Sequence, residues 1–322
     1  MRASPPHLSI FRSCQLCPRE CQANRTLANP SPMSYCGEGA RLRVAAIEAH
    51  FGEEPPISGT NGSGTVFFSG CSLKCIFCQN YQISHQHLGE YLTIAQVVNQ
   101  IEQLAQERHI HNVNFVTPDH FFPQTMDIVR SLHRRGISLP IIYNLSGYQR
   151  IESLRMIASV ANIYLPDFKY SDETLARTLS NARNYPAIAI EAIAEMLRQQ
   201  GFLDSFDKGE GSSLPIATRG VLVRHLILPG QTQNSIDALT MLYTEFGKEL
   251  PLSLMSQYYP VRQHRFTFLN RTVTEQEFQV VYQHALGLGF KNMFVQFPDT
   301  NTSERPFLPD FTRSHPFAGN IT

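Results

Sequence analysis

From residue 65 onward the chain alternates short apolar runs with amphipathic helical patterns, and that alternation limits the fold more than any other feature. The runs "TVFFS" (65–69), "NVNFVT" (112–117), "PIIYN" (140–144), "NIYLPD" (162–167), "GVLVRHLIL" (220–228), "PLSLMS" (251–256) and "NMFVQF" (292–297) have the length and the β-branched content of buried strands. The segments between them read as helices with legible ends. Thr93 and Gln96 suit a capping box ahead of an apolar face of Ile94, Val97, Val98, Ile101 and Leu104. Pro123 opens a helix that closes on Gly136, Pro186 opens one that closes on Gly201, and Thr274 with Glu277 offers a second capping box. Strands alternating with helices build a parallel sheet with right-handed crossovers. Six or seven such units suit an incomplete barrel as well as a doubly wound sheet.

The barrel-forming stretch is expected over residues 59–297. Residues 1–58, rich in Pro, Gly and Cys with little periodicity, read as a small metal-stapled extension, and residues 298–322 as an irregular tail. The polar stretch between Asp204 and Arg219 reads as a loop insertion. "GTNGSG" (59–64) looks like a phosphate loop but precedes a strand instead of joining strand to helix, so it reads as a turn. Twenty-seven basic residues balance 27 acidic ones, which gives no footprint for nucleic acid. No apolar run approaches the roughly 18 residues of a membrane span. The N-terminus lacks the apolar core of a secretory signal.

Seven cysteines fall in two tight groups, which in a chain of this size points to metal or redox chemistry in a reducing cytoplasm rather than to a disulfide framework. Cys71, Cys75 and Cys78, spaced C-x3-C-x2-C, follow the first strand directly. That is the carboxyl end of a barrel strand, where active sites form. Three thiolates on a cube of four irons leave one iron open, and an open position separates a reactive metal site from a closed structural one. The competing reading is zinc completed by His85 or His87, but zinc spacings run mostly in C-x2-C pairs and no second pair follows. Cys14, Cys17, Cys21 and Cys36 read C-x2-C-x3-C-x14-C; four thiolates close a site, and structural zinc and an auxiliary iron–sulfur cluster both fit.

"GCSLKCIFCQN" resembles the signature of radical S-adenosylmethionine (SAM) enzymes, C-x3-C-x-aromatic-C, with Phe77 as the aromatic residue. "EEPPISGTNGSGTVFFSGC", "VTPDHFFPQ", "YNLSGY", "YLPDFKYSD", "VLVRHLILPG" and "SLMSQYYP" resemble one branch, iron–sulfur proteins related to pyruvate formate-lyase activating enzyme, and the similarity spans residues 14–297. The resemblance implies an α/β fold, a partial (β/α)6 TIM-like barrel with a 4Fe-4S cluster at its mouth. The methionyl group of SAM would chelate the open iron, and cleavage would yield a 5′-deoxyadenosyl radical that abstracts hydrogen.

It also implies cofactor contacts from Asn144 and Ser146 after the third strand, and from Asp167 and Lys169 after the fourth. Lys169 would pair with the carboxylate, and Asp167 would bind ribose or orient Lys169. Arg224 and His225 lie inside the fifth strand. One of them is expected to face an anionic group, or Arg224 to pair with a carboxylate such as Asp167. Gln257 and Tyr258 are weaker candidates, and Glu53 and Glu54 receive no role.

The chain departs from the family at its Gly-Gly-Glu element. Thr117, Asp119 and His120 stand there, and Pro118 removes a backbone donor. Expected partners are a glycyl-radical enzyme or other protein substrate and an electron donor such as flavodoxin or ferredoxin. The alternatives are a radical enzyme for a small molecule and a non-catalytic zinc or iron–sulfur protein on the same barrel.

Overall fold

The expected strands and helices form where the sequence places them, except that the run at 220–228 divides into two short strands, 220–221 and 223–226, in different sheets. The computed structural model describes residues 6–206, 215–298 and 308–317. Its elements run β1 (Arg43–His50), α1 (Pro55–Ser58), β2 (Ser63–Phe68), α2 (Tyr81–Ser84), β3 (Glu90–Tyr91), α3 (Ile94–Arg108), β4 (Val113–Val116) and α4 (Phe122–Arg134). They continue with β5 (Ile141–Leu145), α5 (Ile151–Ile157), β6 (Ile163–Pro166), α6 (Glu173–Ser180), α7 (Tyr185–Gln200), β7 (Gly220–Val221) and β8 (Val223–Leu226). The last are α8 (Thr232–Phe246), β9 (Leu252–Met255), α9 (Glu275–Leu288) and β10 (Met293–Gln296).

From β2 through β4, β5, β6 and β7 the pairing is parallel, and β8, β9 and β10 pair in parallel beside them. The two sheets meet where Asp167 bridges Arg224 and the Phe168 amide donates to the Arg224 carbonyl at 2.7 Å. The result is a curved, open barrel of six parallel units extended by β10. Every residue of β2 and of β4 is buried, as expected of parallel strands covered on both faces. Phe115 sits between Phe68 and Tyr143 with ring centroids 5.9 and 5.6 Å away. Truncating it to Ala would cost about 3–5 kcal/mol.

Both capping boxes form: Thr93 accepts from the Gln96 amide and Thr274 from the Glu277 amide, each with the reciprocal bond. Val97, Val98 and Ile101 then bury the inner face of α3 completely. "GTNGSG" is a turn, with Gly59 and Gly62 at φ +50° and +82°.

Two features differ from the sequence reading. "RVAAIEAH", inside the stretch read as a metal-stapled extension, is the strand β1, antiparallel to β2 with a register shift between Val44 and Ala46. Its alanines carry little intrinsic strand preference; pairing with β2 overrides that. Within the expected tail, Phe311 and Phe317 pack on Phe67 with centroids 5.4 and 5.3 Å away. Residues 207–214 of the loop insertion, and 299–307 and 318–322 of the tail, lie outside the described residues. Among the described residues no helix is long and apolar enough to cross a membrane.

Candidate active site

At the carboxyl ends of the parallel strands lies a cavity of about 240 Å³. It is lined by Cys71, Cys75 and Cys78 together with Phe77, Asn144, Ser146, Asp167, Lys169 and Arg224. These residues come from the loop after β2 and from or just after three further strands, β5, β6 and β8, and the fold brings all of them to one cavity.

The loop begins at Gly70, φ +84°, where a Cβ would stand 2.6 Å from Glu38 Cγ and 2.9 Å from the Cys36 carbonyl. Only glycine admits so close an approach of the N-terminal segment. The Leu73 amide donates to Cys71 Sγ at 3.3 Å, Ser180 Oγ to Cys75 Sγ at 2.9 Å, and Ser84 Oγ to Cys78 Sγ at 3.4 Å. Phe77 packs its ring at 67° against Tyr258, centroids 6.2 Å apart.

Burial, then the charge of the Cys75 sulfur, pushes the Cys71 thiol up to about 12. Burial likewise raises Cys75 to about 11, against the opposing pull of Lys169. For Cys78 burial comes first and Cys71 second, again upward. Such sulfurs gain from a cationic metal core, because it supplies the charge that water would otherwise screen. Three soft donors on one cavity wall therefore fit an iron–sulfur cluster.

Among the described residues no three His, Cys, Asp or Glu side chains converge on a single metal ion. The histidines considered for zinc are engaged elsewhere: His85 Nδ1 lies 2.9 Å from Ser84 Oγ, and His87 Nδ1 lies 2.7 Å from Glu38 Oε1. Neither lines the cavity.

Lys169 Nζ donates to Asp167 Oδ2, and the Lys169 amide donates to the Tyr185 hydroxyl at 3.0 Å. Burial lowers the ammonium's pKa, but Asp167 and the Cys75 sulfur outweigh it, and the net direction is up. Ser146 Oγ accepts from Gln149 Nε2 at 3.2 Å, at the turn after β5.

Arg224 faces the cavity, yet its guanidinium is held by carboxylates. Nε donates to Glu54 Oε1 at 2.9 Å, and Nη2 donates to Glu53 Oε2 at 2.5 Å and to Glu54 Oε2. Its carboxylate partners among the described residues are thus Glu53 and Glu54, not the side chain of Asp167. His225 points away from the cavity: Nδ1 lies 2.6 Å from the Phe168 carbonyl and Nε2 2.9 Å from Ser235 Oγ.

Thr117, Gln257 and Tyr258 also line the cavity; Asp119 and His120 do not. Asp119 accepts from Gln149 Nε2, with its carboxyl pushed up to about 6 by burial, and His120 Nε2 lies 2.7 Å from the Ser69 carbonyl behind the loop. Thr117 takes φ +51°, a left-handed conformation rare for a β-branched residue. Sequence reasoning missed Ser180, the Glu53–Glu54–Arg224 triad, and a rim of His50, Phe67 and Phe317. In the N-terminal group Cys14, Cys17 and Cys36 are buried, and Cys21 is exposed.

Residues 65–241 match the family described as the radical SAM superfamily. The chain belongs to that superfamily. It is an enzyme of this kind, and its cofactors are a 4Fe-4S cluster and SAM. It is 26% identical to an uncharacterized protein of Methanocaldococcus jannaschii over 284 residues, 84% of this chain and 73% of that one. Among solved structures, HydG, a maturase of the FeFe-hydrogenase, aligns with TM-score 0.48 and 13% identity. The match covers 72% of this chain, which spans only 50% of HydG. A domain of pyruvate-formate lyase-activating enzyme from Bacteroides vulgatus ATCC 8482 aligns with TM-score 0.40 and 14% identity, over 57% of this chain and 98% of that domain. Streptococcus suis SuiB bound to SAM aligns with TM-score 0.47 and 9% identity, over 71% and 48%.

Proposed function

We propose that this superfamily member reductively cleaves SAM and uses the product for hydrogen abstraction, with Cys71, Cys75 and Cys78 as the cluster ligands. The observation that carries this reading is that the three sulfurs line one cavity together with Asp167, Lys169, Asn144 and Ser146. When bound, the cluster and SAM supply a one-electron cleavage that generates a 5′-deoxyadenosyl radical. The chain's own residues bind and orient. Lys169, its ammonium aligned by Asp167, would receive the methionyl carboxylate; Asn144 and Ser146 would meet the ribose and adenine side; Phe77, packed on Tyr258, would wall the cluster. Arg224 acts through structure, fixing Glu53 and Glu54 at the mouth.

Residues 59–297 are the catalytic barrel in this reading, with 1–58 as its metal-binding extension and 298–322 as its tail. We take the substrate side as similar to that of glycyl-radical-enzyme activases, a glycine Cα of another protein, with flavodoxin or ferredoxin as electron donor in a reducing cytoplasm. A small-molecule substrate is favoured by one observation: Phe317 lies 4.4 Å from His50, centroid to centroid, and narrows the mouth through which a protein loop would enter.

The deciding experiment is anaerobic reconstitution followed by dithionite reduction in the presence of SAM. The expected products are 5′-deoxyadenosine and methionine, with none from Cys75→Ala. A protein that assembles the four-iron cluster yet yields no cleavage product under strong reduction would sink the reading.

A further inference from the structure

Among the described residues, one buried positive charge outside the cavity lacks a carboxylate partner. Arg25 has no exposed surface, and an arginine stays charged inside proteins. Its Nε donates to the Glu38 carbonyl at 2.8 Å and Nη2 to the Gly39 carbonyl at 2.8 Å. Nη1 donates to the His120 carbonyl at 2.7 Å and to Cys14 Sγ at 3.5 Å. The rings of Phe11 and Phe121 lie 4.6 and 5.6 Å from its Cζ. Glu38 offers only its backbone: its carboxylate turns to His87 at 2.7 Å and to Arg43 at 3.9 Å. The groups close enough to act on the guanidinium's charge are Cys36, Cys14 and Cys17.

Burying an unpaired cation costs several kcal/mol, so a fold that retains one keeps an anion beside it. Neutral thiols do not supply that anion. The three sulfurs do not converge on a single metal ion, but three thiolates around a larger four-iron core of charge +2 leave a net charge of about −1. The backbone prepares the ligands. The Gln22 amide donates to the Cys14 carbonyl at 3.0 Å, the Cys14 amide to the Ala23 carbonyl at 3.1 Å, and the Glu20 amide to the Cys17 carbonyl at 3.0 Å. Cys21 is left exposed at the tip of that loop, between Glu20 and Gln22 at φ +42° and +53°.

The same segment grips the loop of the cavity cysteines. Arg19, two residues past Cys17, donates through Nε to the Ser72 carbonyl at 2.8 Å and through Nη2 to the Leu73 carbonyl at 3.3 Å. Tyr35, next to Cys36, donates its hydroxyl to the same Leu73 carbonyl at 3.1 Å, and the Arg19 guanidinium lies 3.9 Å from the Tyr35 ring centroid. Leu73 stands between Cys71 and Cys75 and is therefore held from both halves of the N-terminal cysteine set.

We propose that Cys14, Cys17 and Cys36 hold a second iron–sulfur centre with Arg25 as its buried counter-charge, and that Arg19 and Tyr35 brace the Cys71–Cys75 loop against it. Cys21 is not required for charge balance. The bracing half rests on the cluster reading of the cavity cysteines; the metal half does not.

The test uses the full chain carrying Cys71→Ala, Cys75→Ala and Cys78→Ala, so that metal at the cavity cannot contribute. The protein is reconstituted anaerobically with Zn²⁺ in one arm and with ferrous iron and sulfide in the other, then desalted. Circular dichroism verifies the fold. The expected result is about four irons per chain in the iron arm and no stoichiometric zinc in the other. Adding Cys21→Ala should leave the content unchanged, and adding Cys36→Ala should abolish it. Arg25→Met should weaken metal retention about tenfold or more, with Arg25→Lys between it and the parent. A folded parent variant that holds no iron, or that takes up one zinc instead, overturns the proposal, as does Arg25→Met binding as tightly as the parent. Should Arg25→Met not fold, the Cys21 and Cys36 comparison decides, and equal losses from both overturn the assignment. For the brace, Arg19→Ala in the otherwise native chain should release iron from the cavity cysteines to a chelator several-fold faster. Unchanged release overturns the brace alone, and neither outcome depends on whether SAM is cleaved.

Discussion

The hydroxyl of Ser180, at the last turn of α6, donates to the sulfur of Cys75 at 2.9 Å. The same oxygen lies 2.5 Å from the Tyr170 hydroxyl, so a buried chain of two hydroxyls ends on a cavity sulfur. Hydrogen bonds to a ligand sulfur favour the more negative, reduced cluster and raise its potential. A bond worth about 0.5–1.5 kcal/mol more to the reduced form corresponds to about 20–65 mV in a one-electron couple. Ser180→Ala is therefore expected to lower the cluster's midpoint potential by that order, measured by anaerobic spectroelectrochemical titration with iron content unchanged. An unchanged or raised potential would show that Ser180 serves only to pack α6.

Lys169 and Asp167 form the second test. A charge-assisted contact contributes about 1.5–3 kcal/mol, so Lys169→Ala should raise the dissociation constant for SAM about ten- to a hundredfold. Asp167→Ala should weaken binding too, because it removes the group that aligns the ammonium. Iron content is the control. Normal SAM affinity in Lys169→Ala would leave the enzyme reading intact and remove Lys169 from the cofactor site.

The Arg224 triad predicts stability rather than chemistry. Arg224, Glu53 and Glu54 side chains are each less than a tenth exposed. Glu54→Ala removes a partner and leaves a buried charge less well matched, at a cost of about 3–5 kcal/mol in chemical denaturation. Loss of SAM affinity in Glu54→Ala without loss of stability would instead place the triad in direct ligand contact.

Glu277 carries the pH prediction. Arg271 donates to both of its oxygens at 2.7 Å, and the Gly230 and Thr274 amides add bonds at 2.6 and 2.9 Å. The Arg271 bonds come first among the causes that hold its carboxyl down to about 2, against burial. A depressed carboxyl stabilises the fold above its unfolded value near 4.5, and that contribution fades as pH falls toward 2. The pair is partly solvated, and a capping interaction is worth about 1 kcal/mol, so the effect is of that order. Urea midpoints of the parent and Glu277→Gln should differ most at neutral pH and converge as pH falls from about 4.5 toward about 2. Divergence in acid would contradict the assignment.

What the sequence made legible was local. Strand runs, capping boxes and the cysteine spacing are encoded within a few residues, and each formed. Glu54 and Arg224 lie 170 residues apart, and nothing near either one announces the other. Arg25 among cysteines reads as an ordinary loop arginine until the fold buries it. Thr117 is instructive in the opposite way. The chain lacks the glycines expected after the second barrel strand, yet its backbone takes the left-handed turn that glycine favours.

The tail yields the last prediction. Gln82, four residues past Cys78, donates to Asp310 Oδ1 at 3.2 Å and accepts from the Phe311 amide at 2.8 Å. That anchor sets Phe311 and Phe317 against Phe67, and Phe317 reaches the cavity wall. The aromatic faces involved lie over the cavity's mouth, so their removal should admit water and reagents to the sulfurs beneath. A chain ending at residue 307 should alkylate Cys78 in the metal-free protein several-fold faster, and Phe317→Ala should reproduce part of that gain. Burial of Phe311 contributes about 1.5–3 kcal/mol, so some stability should be lost as well. In the cluster-loaded protein the same truncation should increase cleavage of SAM uncoupled from any substrate, because a covered mouth protects the reactive product from water and reductant. Equal alkylation rates with and without the tail would mean that it packs on the barrel without closing it, and the case for a small-molecule substrate would lose its support.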